Sequence, residues 1–317
     1  MILMMLYHSV KGVVFVSSKL LVVGDSYCMN YIRMRNKSHG KSSWTNEPYE
    51  IFDPIKREIK RYDWIDQEEF KLWPEIIAEK WNCDLTNLSE SGAGNESIYS
   101  MALDYIVSNK VDKAIIVWSG FGRWEFEAEY LKLQKRLFRN GEVISHQPTG
   151  KIEPKNGTRT AWLRYHNHGA PMKKEDEHNN IEHQTSQLDT ITNVGCFSLK
   201  VSVFNWFRKV YAMQQICESL NIDLTMAQSV RPLKSYNENI LASKFMITDP
   251  YLNKIDDTIF KGFPAINYIG GKCFTDVLTY EGHGNDLEKR HKYHLSSYDN
   301  HPNELGHKKI AEYILSD

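Results

Sequence analysis

Apolar residues along the chain gather in short continuous runs separated by stretches with helical spacing. Leu20-Leu21-Val22-Val23 is apolar without alternation and stops at Gly24-Asp25-Ser26, which suits a strand buried on both faces. Lys113 to Ser119 and Asn221 to Gln228 repeat the pattern, and Asp84 to Leu88 is a weaker version. Between these runs, Trp73 to Trp81 carries Ile76, Ile77 and Trp81 as a helical face. Glu96 to Val107 reads as a second helix, and Phe204 to Leu220 as a third with Phe207, Val210, Tyr211 and Ile216 available to pack. Lys308 to Ile314 adds a stripe of Ile310, Tyr313 and Ile314. Strands alternating with helices predict an α/β fold around a parallel sheet covered on both faces.

Two stretches break this rhythm. Residues 125–192 are poor in aliphatics and rich in His, Asn, Lys and Glu, and residues 233–297 mix aromatics with the turn sequences Gly262-Phe263-Pro264 and Gly270-Gly271. Long loops of this kind are functional lids or insertions more often than structureless connections. The 317 residues therefore read as one α/β domain, 1–317, with two insertions forming a lid or rim. The insertions also account for the low mean hydropathy of -0.50. No internal repeat is visible.

Charge narrows the partners. Lys and Arg total 39 against 40 Asp and Glu, so there is no basic excess to neutralise a phosphate backbone, and nucleic acid is not expected as a partner. The run Met1 to Leu6 is apolar but short and has no basic residue before it, unlike a secretory signal, and Lys11 and Lys19 bound the next apolar stretch, Val13 to Val16. No segment approaches the ~20 apolar residues of a membrane span. A soluble protein, cytoplasmic or particle-associated, is the expectation. Cys28, Cys83, Cys196, Cys217 and Cys273 are scattered and contain no C-x-x-C pair, as for reduced thiols.

Ser26 follows a buried strand directly, in the crevice where open parallel sheets bind ligands. A helix is expected to start there, and its unpaired amides favour developing negative charge. Asp-Ser also begins helices simply as a cap. At the far end, His301 stands on a turn before the last helix, held by Pro302, with Asp299 two residues earlier. A histidine so placed can take a serine proton, and a carboxylate can fix its tautomer. The same residues also suit an Asx-Pro turn with His301 in solvent.

Gly24-Asp25-Ser26, then Asn87-Leu88-Ser89-Glu90-Ser91-Gly92-Ala93-Gly94-Asn95, then Asp299-x-His301-Pro302-x-x-x-Gly306-His307 resemble, in order and at strand-to-helix junctions, the blocks of the SGNH hydrolases, also called the GDSL esterase/lipase family. The resemblance covers the framework and leaves the two insertions unmatched. It implies a three-layer α/β/α, flavodoxin-like fold and a serine esterase that needs no cofactor and no metal. Ser26 is then the nucleophile, His301 the base and later the acid, and Asp299 the orienter. The amides of Ser26 and Gly92 become the oxyanion donors. Two departures stand out. Where the family has Gly-x-Asn-Asp after its third strand, this chain has Ser119-Gly120-Phe121-Gly122-Arg123-Trp124-Glu125, with Gly122 at the position of the donor Asn. Either Asn95, Arg123 or another group compensates or the activity is weak; Arg123 is the candidate, because a guanidinium donates several hydrogen bonds in a fixed fork and can hold an anion or acidic sugar, and pairing of Arg123 with Glu125 or Glu127 is the plainer alternative. The family's Asp also stands three residues before its His, where this chain has Tyr298.

Asp25, Arg123 and Trp124 are assigned to the substrate side, Trp118 to the core. His307 is a competing base, and His166, His168, His178 and His183 read as loop histidines without a metal-ligand spacing. The resulting expectation is hydrolysis of an O-acyl ester, O-acetyl among the candidates, on a small molecule or glycan through an acyl-enzyme on Ser26. Transfer of the acyl group to another acceptor, or a glycan-binding protein with decayed catalysis on the same scaffold, are the alternatives. The sequence leaves the oligomeric state open.

Overall fold

A computed structural model of the chain describes residues 17–29, 49–53, 58–62, 70–90, 92–121, 123–129, 160–166, 198–232, 236–266, 269–279, 292–294 and 301–316. The strands in chain order are β1 (Ser18–Val23), β2 (Tyr49–Asp53), β3 (Glu58–Tyr62), β4 (Cys83–Asn87), β5 (Lys113–Trp118), β6 (Arg123–Glu129), β7 (Thr160–His166) and β8 (Asp223–Gln228). The helices are α1 (Trp73–Lys80), α2 (Asn95–Ser108), α3 (Leu199–Ser219), α4 (Tyr236–Ile247), α5 (Phe274–Thr279) and α6 (Glu304–Leu315).

Four strands form a parallel sheet in the order β4-β1-β5-β8. The continuous apolarity of β1 has a direct cause: Leu20, Leu21, Val22 and Val23 are all buried, because alternate side chains enter different cores. Leu21 and Val23 join Ile116 and Trp118 of β5 and Met226 of β8 against Met101 of α2 and Trp206, Phe207 and Val210 of α3. Leu20 and Val22 join Ile115 and Val117 against Trp73 and Ile77 of α1, Phe274 of α5 and Ile310 and Ile314 of α6. The result is an α/β fold with helices packed on each face of the sheet. Among the described residues, no helix is long and apolar enough to cross a membrane.

Strand order positions the site. From β1 the chain passes to β4 on one side, then crosses back to β5 on the other, so the connections leaving β1 and entering β5 run in opposite senses. The carboxyl ends of these two strands are therefore the switch point of the sheet, the place where α/β sheets accept ligands. Gly24 marks the end of β1 there. A Cβ at this position would come within 2.5 Å of Cys28 Sγ and 3.0 Å of Val117 Cβ, so the turn can lie against β5 only because the residue has no side chain.

The segment 236–279, which composition reads as part of an insertion, belongs to the core. Residues 259–261 run beside β8, with Met226 N–H donating to Ile259 O at 2.6 Å and Lys261 N–H to Met226 O at 2.8 Å. Phe260, Ala265 and Ile266 enter one core, and Phe274 and Leu278 the other. Phe260, Ala265 and Ile266 come singly from turns, and Phe274 and Leu278 form one i, i+4 pair on the six-residue α5, too short for a helical period to stand out. Of residues 125–192, the described part is the antiparallel pair β6–β7, in which Trp124 stands opposite Tyr165 in register; residues 130–159 and 167–192 lie outside the described residues. Cys28, Cys83, Cys217 and Cys273 are free thiols, and burial pushes the Cys217 thiol up to about 12; Cys196 lies outside the described residues.

The close approach at Gly24 gives a stability prediction. Gly24→Ala should cost about 1–3 kcal/mol through overpacking. Part of that cost should disappear in a Cys28→Ala background, where the nearest atom is gone, as read by urea unfolding of the double-mutant cycle. Strict additivity of the two substitutions would contradict the contact.

Candidate active site

The chain leaves β1 through Gly24 into a single 3₁₀ turn, Ser26–Cys28. Asp25 caps it, its Oδ1 accepting from the Tyr27 N–H at 3.1 Å. A longer helix is the sequence expectation, but Met29 is already extended, at φ -112 and ψ 160. Side chains from elsewhere take the carbonyls a continuing helix would use: Trp73 Nε1 donates to Tyr27 O at 2.9 Å and Asn87 Nδ2 to Cys28 O at 2.8 Å. Ser26 is thereby held in a tight turn at the sheet crevice and is almost fully buried.

His301 comes to the same place from the other end of the chain. Its Nε2 lies 2.8 Å from Ser26 Oγ, across 275 residues of sequence. For the hydroxyl to donate in this contact, Nε2 must be the unprotonated nitrogen of the ring. The turn carrying His301 is clamped by Asn303, whose Oδ1 accepts from the Gly306 N–H at 2.9 Å to cap α6. Asn303 Nδ2 also donates to the carbonyls of Lys292 (3.1 Å) and His294 (3.0 Å). Asp299, the expected orienting carboxylate, and Gly122 lie outside the described residues.

Asp25, expected on the substrate side, is instead fully buried and accepts four hydrogen bonds. Besides Tyr27 N–H on Oδ1, its Oδ2 accepts from Ser119 Oγ at 3.0 Å, Ser229 Oγ at 2.7 Å and Arg123 Nη1 at 2.9 Å. A carboxylate has about four acceptor sites, so this one is saturated from within the protein and its charge is balanced by an internal arginine. Arg123, also expected on the substrate side, therefore points inward: the same Nη1 that meets Asp25 donates to Ala93 O at 2.9 Å.

Glu125 and Asn95 are likewise spent on the framework. The buried Glu125 carboxylate accepts from Gly94 N–H, Ser97 N–H and Ser97 Oγ, each at 2.8 Å, and so caps α2 with a negative charge at its positive end. Asn95, expected near the oxyanion, grips both backbone atoms of Ser119: Nδ2 donates to Ser119 O at 3.0 Å and Oδ1 accepts from Ser119 N–H at 2.7 Å. Its carboxamide ties α2 to the end of β5, which removes it as a substitute for the Asn that position 122 lacks.

The loop before α2 turns at Gly92, whose φ of 74 favours glycine. Ala93 N–H donates to Glu90 O at 3.2 Å and Gly94 N–H is held by Glu125. Among the described residues, none accepts from the Ser26 amide or the Gly92 amide. The Ser26 amide belongs to the residue that meets His301, and the Gly92 amide to the loop that Ala93 O ties, through Arg123, to Asp25. Trp124 lies in β6, one residue beyond Arg123.

His307 is removed as a competing base. It is buried in α6, its Nδ1 accepts from the Trp73 N–H at 3.3 Å, and its ring centroid lies 5.5 Å from that of Phe70. Burial, with a smaller contribution from His301, pushes its pKa down to about 3. Sequence reading missed Ser119 and Ser229, although each follows the last residue of a buried strand as Ser26 nearly does. Among the described residues, no group of three or more His, Cys, Asp or Glu gathers as it would for a metal ion. His166 is in β7, while His168, His178 and His183 lie outside the described residues. A scan of protein-family models and a search of curated proteins return no match to this chain.

Buried His307 sets a pH dependence. The unfolded chain takes up its proton near pH 6.5, whereas the folded protein resists it down to about pH 3. Stability contributed by neutral His307 is therefore present above pH 6.5 and lost as pH falls through this window, by up to about 1.4 kcal/mol per pH unit. His307→Gln, which keeps an acceptor for Trp73 N–H but cannot be protonated, should flatten this slope in urea unfolding at stepped pH. An unchanged slope would assign the acid sensitivity to other groups.

Proposed function

We propose that the protein is a serine esterase of the SGNH type, with the three-layer α/β/α arrangement of that family, and that it removes an O-acyl group through an acyl-enzyme on Ser26. The observation that carries this reading is the 2.8 Å contact of His301 Nε2 with Ser26 Oγ; that neither the Ser26 nor the Gly92 amide has an acceptor among the described residues supports it. The ordered blocks around Ser26, Gly92 and His301 support it from the sequence.

In this reading Ser26 Oγ attacks the ester carbonyl as its proton passes to His301 Nε2. The carbonyl oxygen becomes an oxyanion held by the Ser26 and Gly92 N–H groups, whose preorganisation is the main source of rate. Collapse of the tetrahedral intermediate breaks the bond to the alcohol oxygen, which takes the proton from His301 and departs, leaving acyl-Ser26. Water then attacks, with His301 again accepting a proton, and Ser26 is released with the carboxylic acid. The framework duties of Asn95 and Arg123 mean that backbone amides bear the oxyanion without the usual side-chain donor. The polar composition of residues 125–192 supports a short acyl group on a polar carrier such as a carbohydrate over a long-chain lipid.

The purified protein should hydrolyse a short-chain nitrophenyl ester and be labelled on Ser26 by a fluorophosphonate. Ser26→Ala should remove both, and His301→Ala should lower hydrolysis by at least about 10³-fold. Unchanged hydrolysis in Ser26→Ala would overturn the mechanism.

A further inference from the structure

We propose that Arg123 is a positioning residue that sets the two oxyanion donors against each other; this assignment rests on the esterase reading. A single nitrogen, Nη1, donates to Asp25 Oδ2 and to Ala93 O, at 2.9 Å each. Asp25 immediately precedes Ser26, and Ala93 immediately follows Gly92. Arg123 thus fastens the neighbour of one unengaged amide to the neighbour of the other, across loops that leave two different strands.

The chemistry of the group suits the task. A guanidinium nitrogen carries two hydrogens fixed in the plane of the group, so two acceptors met by one nitrogen are held at a set angle, whereas an ammonium rotates on a flexible stem. The anchor is equally fixed, because Asp25 is held by Ser119, Ser229 and the Tyr27 amide. The Arg123 side chain is 17% exposed and that of Asp25 0%, so the pair is little screened by solvent. A shift of about 1 Å in one donor is enough to cost on the order of 10²-fold in rate. Arg123 lies one position beyond Gly122, where a side-chain oxyanion donor is missing. A chain that relies on two backbone donors alone depends more heavily on their mutual alignment.

The test compares Arg123→Lys, which keeps a positive charge near Asp25, with Arg123→Ala, which opens a space that free guanidinium can enter from solvent. In both, kcat on a short-chain nitrophenyl ester should fall about 10- to 100-fold with KM within about threefold of wild type, and fluorophosphonate labelling of Ser26 should slow in proportion. Guanidinium chloride at tens of millimolar, but not urea at the same concentration, should restore part of kcat in Arg123→Ala and none in Ser26→Ala. A purely structural role would not produce that selective rescue. Wild-type kcat in either folded variant overturns the assignment, and so does a raised KM at constant kcat, which would make Arg123 a substrate contact. If Arg123→Ala does not fold, Arg123→Lys decides by the same criteria. A wild-type protein that neither hydrolyses the ester nor labels overturns the esterase reading and, with it, this assignment.

Discussion

A buried carboxylate with no solvent must be satisfied completely by the protein or it destabilises the fold. Asp25 meets that constraint with four donors, one from its own turn and the others from the end of β5, the start of β6 and the end of β8, and the carboxyl end of the sheet is organised around it. Ser119 and Ser229 stand one residue past the ends of β5 and β8, so both strand ends are tied to the end of β1. Arg123 brings in the start of β6 and, through Ala93, the loop after β4. These ties meet on one carboxylate, so a residue next to Ser26 can be wholly structural and still hold the turn that carries it.

The polar side chains around the crevice divide cleanly by duty. Asp25, Asn95, Glu125, Arg123 and Asn303 are engaged with backbone or with each other, holding loops at fixed distances. Ser26 and His301 meet each other. Such a division keeps flexible side chains out of the reacting space and gives preorganisation to the rigid part of the chain. His307 fits the same scheme: one histidine of the final block faces the serine, while the other, six residues on, is kept neutral by burial and joins α6 to the start of α1.

The hydrophobic pattern foretold β1 and β5 nearly to their ends because a strand buried on both faces leaves an unbroken apolar run; β8 was legible from its spaced apolar residues Leu224 and Met226, and α1, α3 and α6 each left a helical stripe. The second stretch read as an insertion was less legible: Phe260 and Ile266 enter a core singly, from turns, and Phe274 enters the other from the six-residue α5, too short to leave a period. The polar residues were least legible of all. Nothing local tells Asn95 from an oxyanion donor, or Arg123 from an anion-binding residue, since each is defined by a partner in another segment.

Periodicity and turn chemistry act over a few residues, so the order of residues was enough to establish that strands and helices alternate, that Ser26 follows a buried strand and that His301 precedes the last helix. Which polar groups meet was a matter for the folded chain. Arg123 reaches Asp25 across 98 residues, Ser229 reaches it across 204, and His301 reaches Ser26 across 275. Contacts at such separations exist only once the strand order β4-β1-β5-β8 has brought the carboxyl ends of β1, β5 and β8 side by side. At that point burial forces each charged or polar side chain to take the partner within reach, and that choice, made by geometry, separates the residues that hold the site from those that can react.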